Sequence, residues 1–440
     1  MDFVTGGILC VALLLLLMGT GLQIGLSFIL SGLIVATLLV GLKSALGLLG
    51  QVWYFSVATP TWACIPLFIL MGDFGAIGGF AERAYRGVNA FCHRLPGSLG
   101  VATCFGCAAF GAISGSSIAA TVVFGKLAMP EMNRYQYDKT FSTACIASAG
   151  TFASMIPPSL LFVVYALFTQ QSIGKLFAAG VIPGLMTATV YSLSIVYRVR
   201  KNPRLAPRPP AKEEGFSPRA KREAVIRMWP ISVIAAIVLG GIYSGLFTPT
   251  EAAAAGALVT LFFGWQQGDI RRLGLVTGAM KDSANTTAML FLLNIGALFY
   301  SRVLAMTRLP AEISVFVQTL EVPRILTLLI ILLILFFLGM LMVPIGIYAM
   351  TLPIFFPVIV SLKYDPIWFG VICLKMMEIG AVTPPVGLNI YAMKGVVGKD
   401  ISLEDIFRGV WPFVLCDLVV LGFLILFPEI ATWLPNLLFD

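Results

Sequence analysis

Two short stretches of this chain gather the residue types that hold small ions. The first reads Gly150-Thr151-Phe152-Ala153-Ser154-Met155-Ile156-Pro157-Pro158-Ser159, and the second reads Gly380-Ala381-Val382-Thr383-Pro384-Pro385-Val386-Gly387. Each runs from a glycine to a Pro-Pro pair inside an apolar stretch of membrane length. Proline removes a backbone donor and clashes with the preceding turn, and glycine relaxes the backbone. In hydrocarbon, backbone groups freed this way are tolerated only where they are buried in protein or line a wet cavity. Carbonyls and hydroxyls suit a hard monovalent cation, whereas helix N-termini suit an anionic group. A pair of interrupted helices at matching places in two halves of a membrane chain points to a transporter binding site.

Each break is preceded by a second interruption. Residues 97–128 are apolar but carry Ser114-Gly115-Ser116-Ser117 at their middle. Residues 323–361 carry Gly339-Met340-Leu341-Met342-Val343-Pro344-Ile345-Gly346. A turn of small and polar residues is expelled from lipid, but it fits the tip of a helical hairpin dipping to the membrane midplane. Close helix packing through small residues is the plainer reading of Ser114–Ser117. Two tips facing two broken helices gather carbonyls, hydroxyls and helix ends.

The elements that must position these residues run the length of the chain. Apolar spans are expected at 3–19, 21–41 and 52–74, with an amphipathic stretch at 80–94. The interrupted 97–128, the broken helix 139–168 and 175–199 follow. After a polar linker come 228–247, 250–267, an interfacial amphipathic stretch at 269–282, and 283–306. The interrupted 323–361, the broken helix 366–397 and 410–427 complete the order. The halves also rhyme after their breaks. Ser172-Ile173-Gly174-Lys175-Leu176-Phe177 precedes Gly180-Val181-Ile182-Pro183, as Ser402-Leu403-Glu404-Asp405-Ile406-Phe407 precedes Gly409-Val410-Trp411-Pro412. An odd number of crossings between the repeats inverts them. The segments 228–247, 250–267 and 283–306 supply that parity if both interrupted stretches are re-entrant hairpins.

Composition agrees with a membrane chain. Of 440 residues, 59% are hydrophobic and 11% charged, and the mean hydropathy of +0.95 excludes a soluble globular protein. Residues 3–19 run on through Gly19-Thr20-Gly21 into a second apolar stretch, which reads as a helical hairpin rather than a cleaved leader. The net charge of +8 is concentrated at 198–227, where Arg198, Arg200, Lys201, Arg204, Arg208, Lys212, Arg219, Lys221, Arg222 and Arg227 stand among prolines that include Pro203, Pro207, Pro209 and Pro210. The positive-inside rule makes this linker cytoplasmic, which explains it with less than nucleic-acid binding does. The eight cysteines are scattered, and Cys104-x-x-Cys107 lacks further metal ligands nearby. A serine-protease reading of Ser114-Gly115-Ser116 needs a general base, yet the single histidine, His93, lies outside the apolar stretches beside Arg94. The expectation is therefore no enzyme. A channel fits less well, since paired breaks suit alternating access.

Isolated polar groups carry open readings. Asp73, Glu82 and Arg83 flank the third segment at its interfacial end. Lys375 and Glu378 can pair along one helix face, either as a structural ion pair or in ion coupling. Asn294 and Asn389 either bond other helices or line the site. Glu251 heads a helix after Thr248-Pro249, where a carboxylate suits the first turn.

Taken together, the motifs resemble the large membrane subunit of the tripartite ATP-independent periplasmic (TRAP) transporters. The resemblance rests on Leu95-Pro96-Gly97, Phe110-Gly111-Ala112-Ile113-Ser114-Gly115-Ser116-Ser117, Pro130-Glu131-Met132 with Tyr137-Asp138, Ile156-Pro157-Pro158-Ser159, Gly245-Leu246-Phe247-Thr248-Pro249-Thr250-Glu251-Ala252-Ala253, and Thr383-Pro384-Pro385-Val386-Gly387-Leu388-Asn389. It covers almost the whole chain. It implies an all-α polytopic membrane protein with inverted repeats, two re-entrant hairpins and two broken helices, working as an elevator. The implied division is scaffold helices at 1–75, a first repeat at 76–199, a cytoplasmic linker at 200–227, scaffold and connecting helices at 228–306, and a second repeat at 307–440.

The resemblance further implies sodium-coupled uptake of a small organic anion of the carboxylate class across the bacterial inner membrane. Its partners are a small four-helix membrane subunit, a periplasmic substrate-binding protein and membrane lipid, with no nucleic acid. It implies one sodium site at Gly339, Gly380, Thr383 and Val386, largely through backbone oxygens. A pseudo-symmetric site would use Ser114, Ser116 and Ser117 with Gly150, Thr151 and Ser154. The organic anion would meet Ser116, Pro157, Pro158, Pro384, Pro385 and Asn389. Two positions depart from the family pattern: Val343 stands where an Asp usually precedes the tip proline, and Ala153 where a second Gly is common. The Val removes a carboxylate near the site. A sodium/dicarboxylate or citrate symporter of related architecture, working without a binding protein, is the alternative reading. The Thr248-Pro249-Thr250-Glu251 segment and the tip sequences favour the tripartite one.

Overall fold

The computed structural model describes residues 3–207, 218–268, 270, 272–319 and 322–439. Arg208 and Lys212 of the linker and Arg271 of the 269–282 stretch lie outside the described residues. All regular structure among the described residues is helical. The first half opens with α1 (Phe3–Gly19), α2 (Ile24–Val40), α3 (Leu42–Ala58), α4 (Cys64–Ile77) and the amphipathic α5 (Phe80–Cys92). A hairpin follows, α6 (Ser98–Ser114) and α7 (Ser117–Arg134). The broken helix is α8 (Lys139–Thr151) and α9 (Leu160–Thr169), separated by a 3-10 turn over Phe152–Ser154, and α10 (Ile173–Lys201) closes the half.

Between the halves lie α11 (Pro218–Ile226), α12 (Trp229–Tyr243), α13 (Pro249–Gln266), α14 (Leu273–Met306) and α15 (Leu309–Thr319). The second half repeats the first, with hairpin α16 (Arg324–Leu341) and α17 (Pro344–Ser361), broken helix α18 (Pro366–Gly380) and α19 (Leu388–Val397), then α20 (Leu403–Leu426) and α21 (Glu429–Phe439). Seven helical stretches among the described residues are long and apolar enough to cross a membrane.

Local chemistry explains why matching elements start alike. Asp138 caps α8 by accepting from Phe141 N at 2.7 Å, and Asp365 caps α18 by accepting from Ile367 N and Trp368 N at 2.8 Å. Ser172 caps α10 and Ser402 caps α20, each accepting from the backbone N–H three residues on. A side-chain oxygen at this position satisfies a helix-start donor that has no partner within the helix. The rhyme around Ser172 and Ser402 is thus a shared helix start, and Pro183 and Pro412 fall inside the two long helices that follow. Thr248 and Glu251 form a reciprocal capping box on α13, which gives Glu251 the first-turn role expected of it.

Contacts between the halves come in reciprocal pairs. The first piece of each broken helix packs on its own hairpin, α8 on α7 and α18 on α16. The second piece crosses over: α9 packs on α17, and α19 packs on α7. The closing helices cross in the same way, α10 against α18 and α20 against α8. Such exchanged contacts are what two like units produce when each presents the same surface to the other. A separate apolar cluster joins α1, α2 and α3 to α14 through Phe28, Val35, Phe299 and Tyr300.

Several elements differ from the sequence expectation. The single span 52–74 is two helices, because Pro60 starts a 3-10 turn after Thr59 and cannot supply the N–H that a continuous helix needs. Residues 273–282 of the amphipathic stretch run on into 283–306 as one 34-residue helix. Its polar first turns carry helix-compatible residues, so amphipathic and apolar pieces join without a break. It is about 50 Å long at 1.5 Å per residue, longer than the hydrocarbon layer. Helix α3 begins ten residues before the expected span, α15 and α21 lie outside the expected spans, and α11 falls within the linker.

Candidate functional site

The first site region lies where α6, α7, α8 and the 3-10 turn converge. Gly115 ends α6 with a φ of +56°, a conformation that costs glycine little. That turn sends the chain back along α7. Ser116 then caps α7, its hydroxyl accepting from Ala119 N at 3.4 Å. Ser114, Ser117, Gly150, Thr151 and Ser154 are buried. The Ser114 hydroxyl has no hydrogen-bond partner. Thr151 donates to Ser148 O at 2.7 Å. Gly150 faces Ser117 closely, with the Ser117 carbonyl 3.0 Å from where a β-carbon on Gly150 would stand. The structure therefore brings the first expected set together. Close approach here rests on Gly111, which faces the backbone of Ala153. The missing second glycine at 153 is compensated from the hairpin side.

The second region lies between α16 and α18. A β-carbon on Gly380 would come 2.7 Å from Gly339 Cα, so the two backbones touch where both residues lack a side chain. The tip and the break are also tied by Gly387 N donating to Met340 O at 3.4 Å, and the two sides of the break are tied by Asn389 N donating to Ala381 O at 3.0 Å. Thr383 is buried and its hydroxyl donates to Ile379 O at 2.7 Å, leaving its lone pairs uncommitted. Val386 is half-buried. Val343 caps α17 without a side-chain hydrogen bond, so this helix start carries no carboxylate at its cap.

The residues expected at the organic anion are not equivalent. Pro157 and Pro158 are buried, Pro384 is half-buried and Pro385 is exposed. Ser116 is half-buried. Asn389 is fully buried, and neither its side-chain oxygen nor its nitrogen has a partner. Asn294 is in the same state on α14, so neither amide bonds a neighbouring helix.

Lys375 and Glu378 do not pair with each other. Lys375 Nζ lies 2.5 Å from Asp417 Oδ1 on α20 and donates to Thr187 Oγ1 on α10 at 3.1 Å. Glu378 Oε1 lies 2.7 Å from Ser154 Oγ in the first-half break. Both side chains are buried among partners on other helices, which offer better geometry than a turn-to-turn contact along α18. Asp417 was not singled out from the sequence. The signal was there, since a carboxylate in an apolar run of a membrane helix needs a partner. The interfacial trio is likewise divided: Asp73 accepts from Ser283 on α14, Glu82 pairs with Arg86, and Arg83 donates to Gly78 O.

Comparisons with known proteins follow the same lines. Residues 11–430 match the family model described as the tripartite ATP-independent periplasmic transporter, DctM component. The chain is 36% identical over 378 residues to the C4-dicarboxylate TRAP transporter large permease protein DctM of Pseudomonas aeruginosa, with 86% of each chain covered. It is 33% identical to the ectoine/5-hydroxyectoine TRAP transporter large permease protein UehC of Ruegeria pomeroyi, covering 86% of each. To the sialic acid TRAP transporter large permease protein SiaM of Vibrio cholerae it is 28% identical, covering 96% of each. Its fold is similar to the YdaH transporter of Alcanivorax borkumensis, with a TM-score of 0.57, 16% identity, and 89% of this chain and 90% of that chain covered. The paired hairpins and broken helices thus sit in a chain that belongs to the DctM component family of tripartite ATP-independent periplasmic transporters, as a multi-pass protein of the bacterial inner membrane.

Proposed function

We propose that this chain carries a small organic anion of the carboxylate class into the cell by sodium-coupled secondary transport. Its partners are a small four-helix membrane subunit and a periplasmic substrate-binding protein that delivers the anion. The observation that carries this reading is the meeting of each hairpin tip with a broken helix, Ser114–Ser117 with Gly150–Ser154 and Gly339 with Gly380. Each meeting gathers carbonyl and hydroxyl oxygens, the donor set of a hard cation. The Ser114, Ser116, Ser117, Gly150, Thr151 and Ser154 set and the Gly339, Gly380, Thr383 and Val386 set are the two proposed sodium sites. The solutes for which relatives are named, C4-dicarboxylates, ectoine and sialic acid, all bear a carboxylate, which supports the carboxylate class without fixing the substrate.

In this reading the repeats at 76–199 and 307–440 are inverted and move together as an elevator. They move against a scaffold of 1–75 and 228–306, with 200–227 in the cytoplasm. Within that scaffold, α1–α3 and α14 share an apolar cluster, and α4 packs on both α13 and α14.

The test is reconstitution of the chain with its small subunit in vesicles. Labelled C4-dicarboxylate, sialic acid and ectoine are offered with the binding protein encoded alongside. Uptake should require an inward sodium gradient and the binding protein. Full-rate uptake by this chain alone, without sodium, would overturn the reading.

A further inference from the structure

The buried polar groups around the first-half break do not balance. Glu378 is 2% exposed and reaches from α18 into the 3-10 turn of the other half, where its Oε1 lies 2.7 Å from Ser154 Oγ. The same Ser154 Oγ lies 2.7 Å from Thr151 O. A hydroxyl owns one hydrogen, so two acceptor oxygens compete for a single proton donor. The other carboxylate oxygen, Oε2, is buried without any hydrogen-bond partner, although the Ser117 hydroxyl faces this carboxylate.

Charge is equally out of balance. Among the described residues Lys375 is the one cation acting on Glu378, and Asp417 holds it at 2.5 Å. Glu378 and Asp417 bring two carboxylates against one ammonium. A buried charge without a partner is strongly disfavoured, so an ionised Glu378 calls for a positive charge that the protein itself does not supply. Tyr348 on α17 also faces Glu378, but a phenol supplies no positive charge. The remaining charged groups of α16 and α21, Arg324 and Glu429, sit at exposed helix starts.

We propose that Glu378 is an anionic ligand of the first-half sodium site. It would close the set formed by the Thr151 carbonyl and the Ser154 and Ser117 hydroxyls with a carboxylate donated by the second half. The assignment rests on the sodium-coupled reading above and extends it. An ion pair replaces an all-neutral oxygen cage, and the ion bridges the two repeats. A monovalent, hard ion of sodium size fits one carboxylate charge. A divalent ion would leave positive charge buried in turn.

The experiment titrates the purified chain, assembled with its small membrane subunit in detergent, with sodium chloride against choline chloride at constant ionic strength. The readout is the midpoint of thermal unfolding, since a ligand that binds only the folded state raises it by mass action. Wild-type protein should be stabilised by sodium and not by choline. Glu378→Gln keeps the shape and removes the charge, so the sodium concentration giving the same stabilisation should rise about tenfold or more. If that variant fails to assemble, Glu378→Asp, which keeps the charge but draws it back, should show a rise of about threefold. An unchanged sodium titration in whichever variant assembles overturns the assignment and leaves the sodium reading standing, with Glu378 neutralised by a proton. A wild-type protein that sodium does not stabilise at all overturns the sodium reading itself.

Discussion

Lys375 and Asp417 form an ion pair closed to solvent, each 1% exposed, with Nζ 2.5 Å from Oδ1. Asp417 Oδ2 accepts from the Tyr191 hydroxyl on α10 at 2.5 Å, and Thr187 of the same helix accepts from Lys375. Helices from both halves are therefore fastened at one point: α10 of the first, α18 and α20 of the second. A buried pair recovers its desolvation cost only when its other hydrogen-bonding positions are filled, and here Tyr191 and Thr187 fill them.

Asp417→Asn leaves the Lys375 ammonium buried without a counter-charge. The expected loss of stability is about 3–5 kcal/mol, read as a lower unfolding temperature in detergent. The paired change Lys375→Met with Asp417→Leu removes both charges and should recover most of that loss. If the double variant is no more stable than Asp417→Asn, the pair is not acting as a neutralised unit.

Gly380→Ala tests the contact between the second tip and its break. A β-carbon there meets the backbone of Gly339 at 2.7 Å from its Cα, and backbone yields less readily than a side chain. Destabilisation of about 1–3 kcal/mol is expected from overpacking. Gly395→Ala on α19 is the matched control, since nothing lies within 4 Å of its added carbon. It should be neutral or slightly stabilising, as expected for Ala in a helix. Equal losses at both positions would mean that the Gly339–Gly380 approach is not tight.

Thr248→Ala removes the capping box of α13. Thr248 N donates to Glu251 Oε2 at 2.8 Å and Glu251 N donates to Thr248 Oγ1 at 3.3 Å, so one substitution leaves two helix-start donors less well served. The expected cost is about 1 kcal/mol. Thr248→Ser keeps the hydroxyl and should stay near wild type. An unfolding temperature for Thr248→Ala equal to that of Thr248→Ser would show that water caps this end as well.

Much of the fold was legible because membrane helices announce themselves by apolar length and because Gly, Pro and Ser mark where they stop. The two Gly-to-Pro-Pro breaks and the Ser114–Ser117 tip fall where those residues put them, whereas α10 begins at Ile173 against an expected 175 and α20 at Leu403 against an expected 410, because Ser172 and Ser402 cap them earlier than hydropathy rises. What sequence spacing did not reveal was partnership across long separations. Lys375 and Glu378 stand three apart on one helix face, yet Lys375 bonds a residue 42 positions away and Glu378 one 224 positions away. Local periodicity fixes which face a side chain shares, and tertiary packing decides what waits opposite. The split at Thr59-Pro60 and the continuity of α14 were hidden for a related reason. Hydropathy averages over windows wider than a single turn.

Thr383→Ala tests the second proposed sodium site. The Thr383 hydroxyl donates to Ile379 O at 2.7 Å, closing a bond one turn back in α18. Threonines in helices often bond the preceding turn this way, so the contact alone assigns no ion. The hydroxyl oxygen nevertheless keeps lone pairs, in a buried segment just before Pro384 where α18 has ended and tightens into turns, with Thr383 N donating to Gly380 O. If that oxygen is a ligand, Thr383→Ala weakens sodium binding while Thr383→Ser preserves it. In the sodium against choline titration of unfolding temperature, the alanine variant should need several-fold more sodium, about the effect of losing 1 kcal/mol of binding. The helix bond to Ile379 is lost in the same variant, but that loss lowers the unfolding temperature equally in sodium and in choline. The two roles therefore separate in one experiment: a shift of the whole curve reports the helix bond, and a shift along the sodium axis reports the ligand. A variant displaced only in the first sense removes the Thr383 side chain from the site and leaves the backbone oxygens of the Gly339, Gly380 and Val386 region to hold the ion.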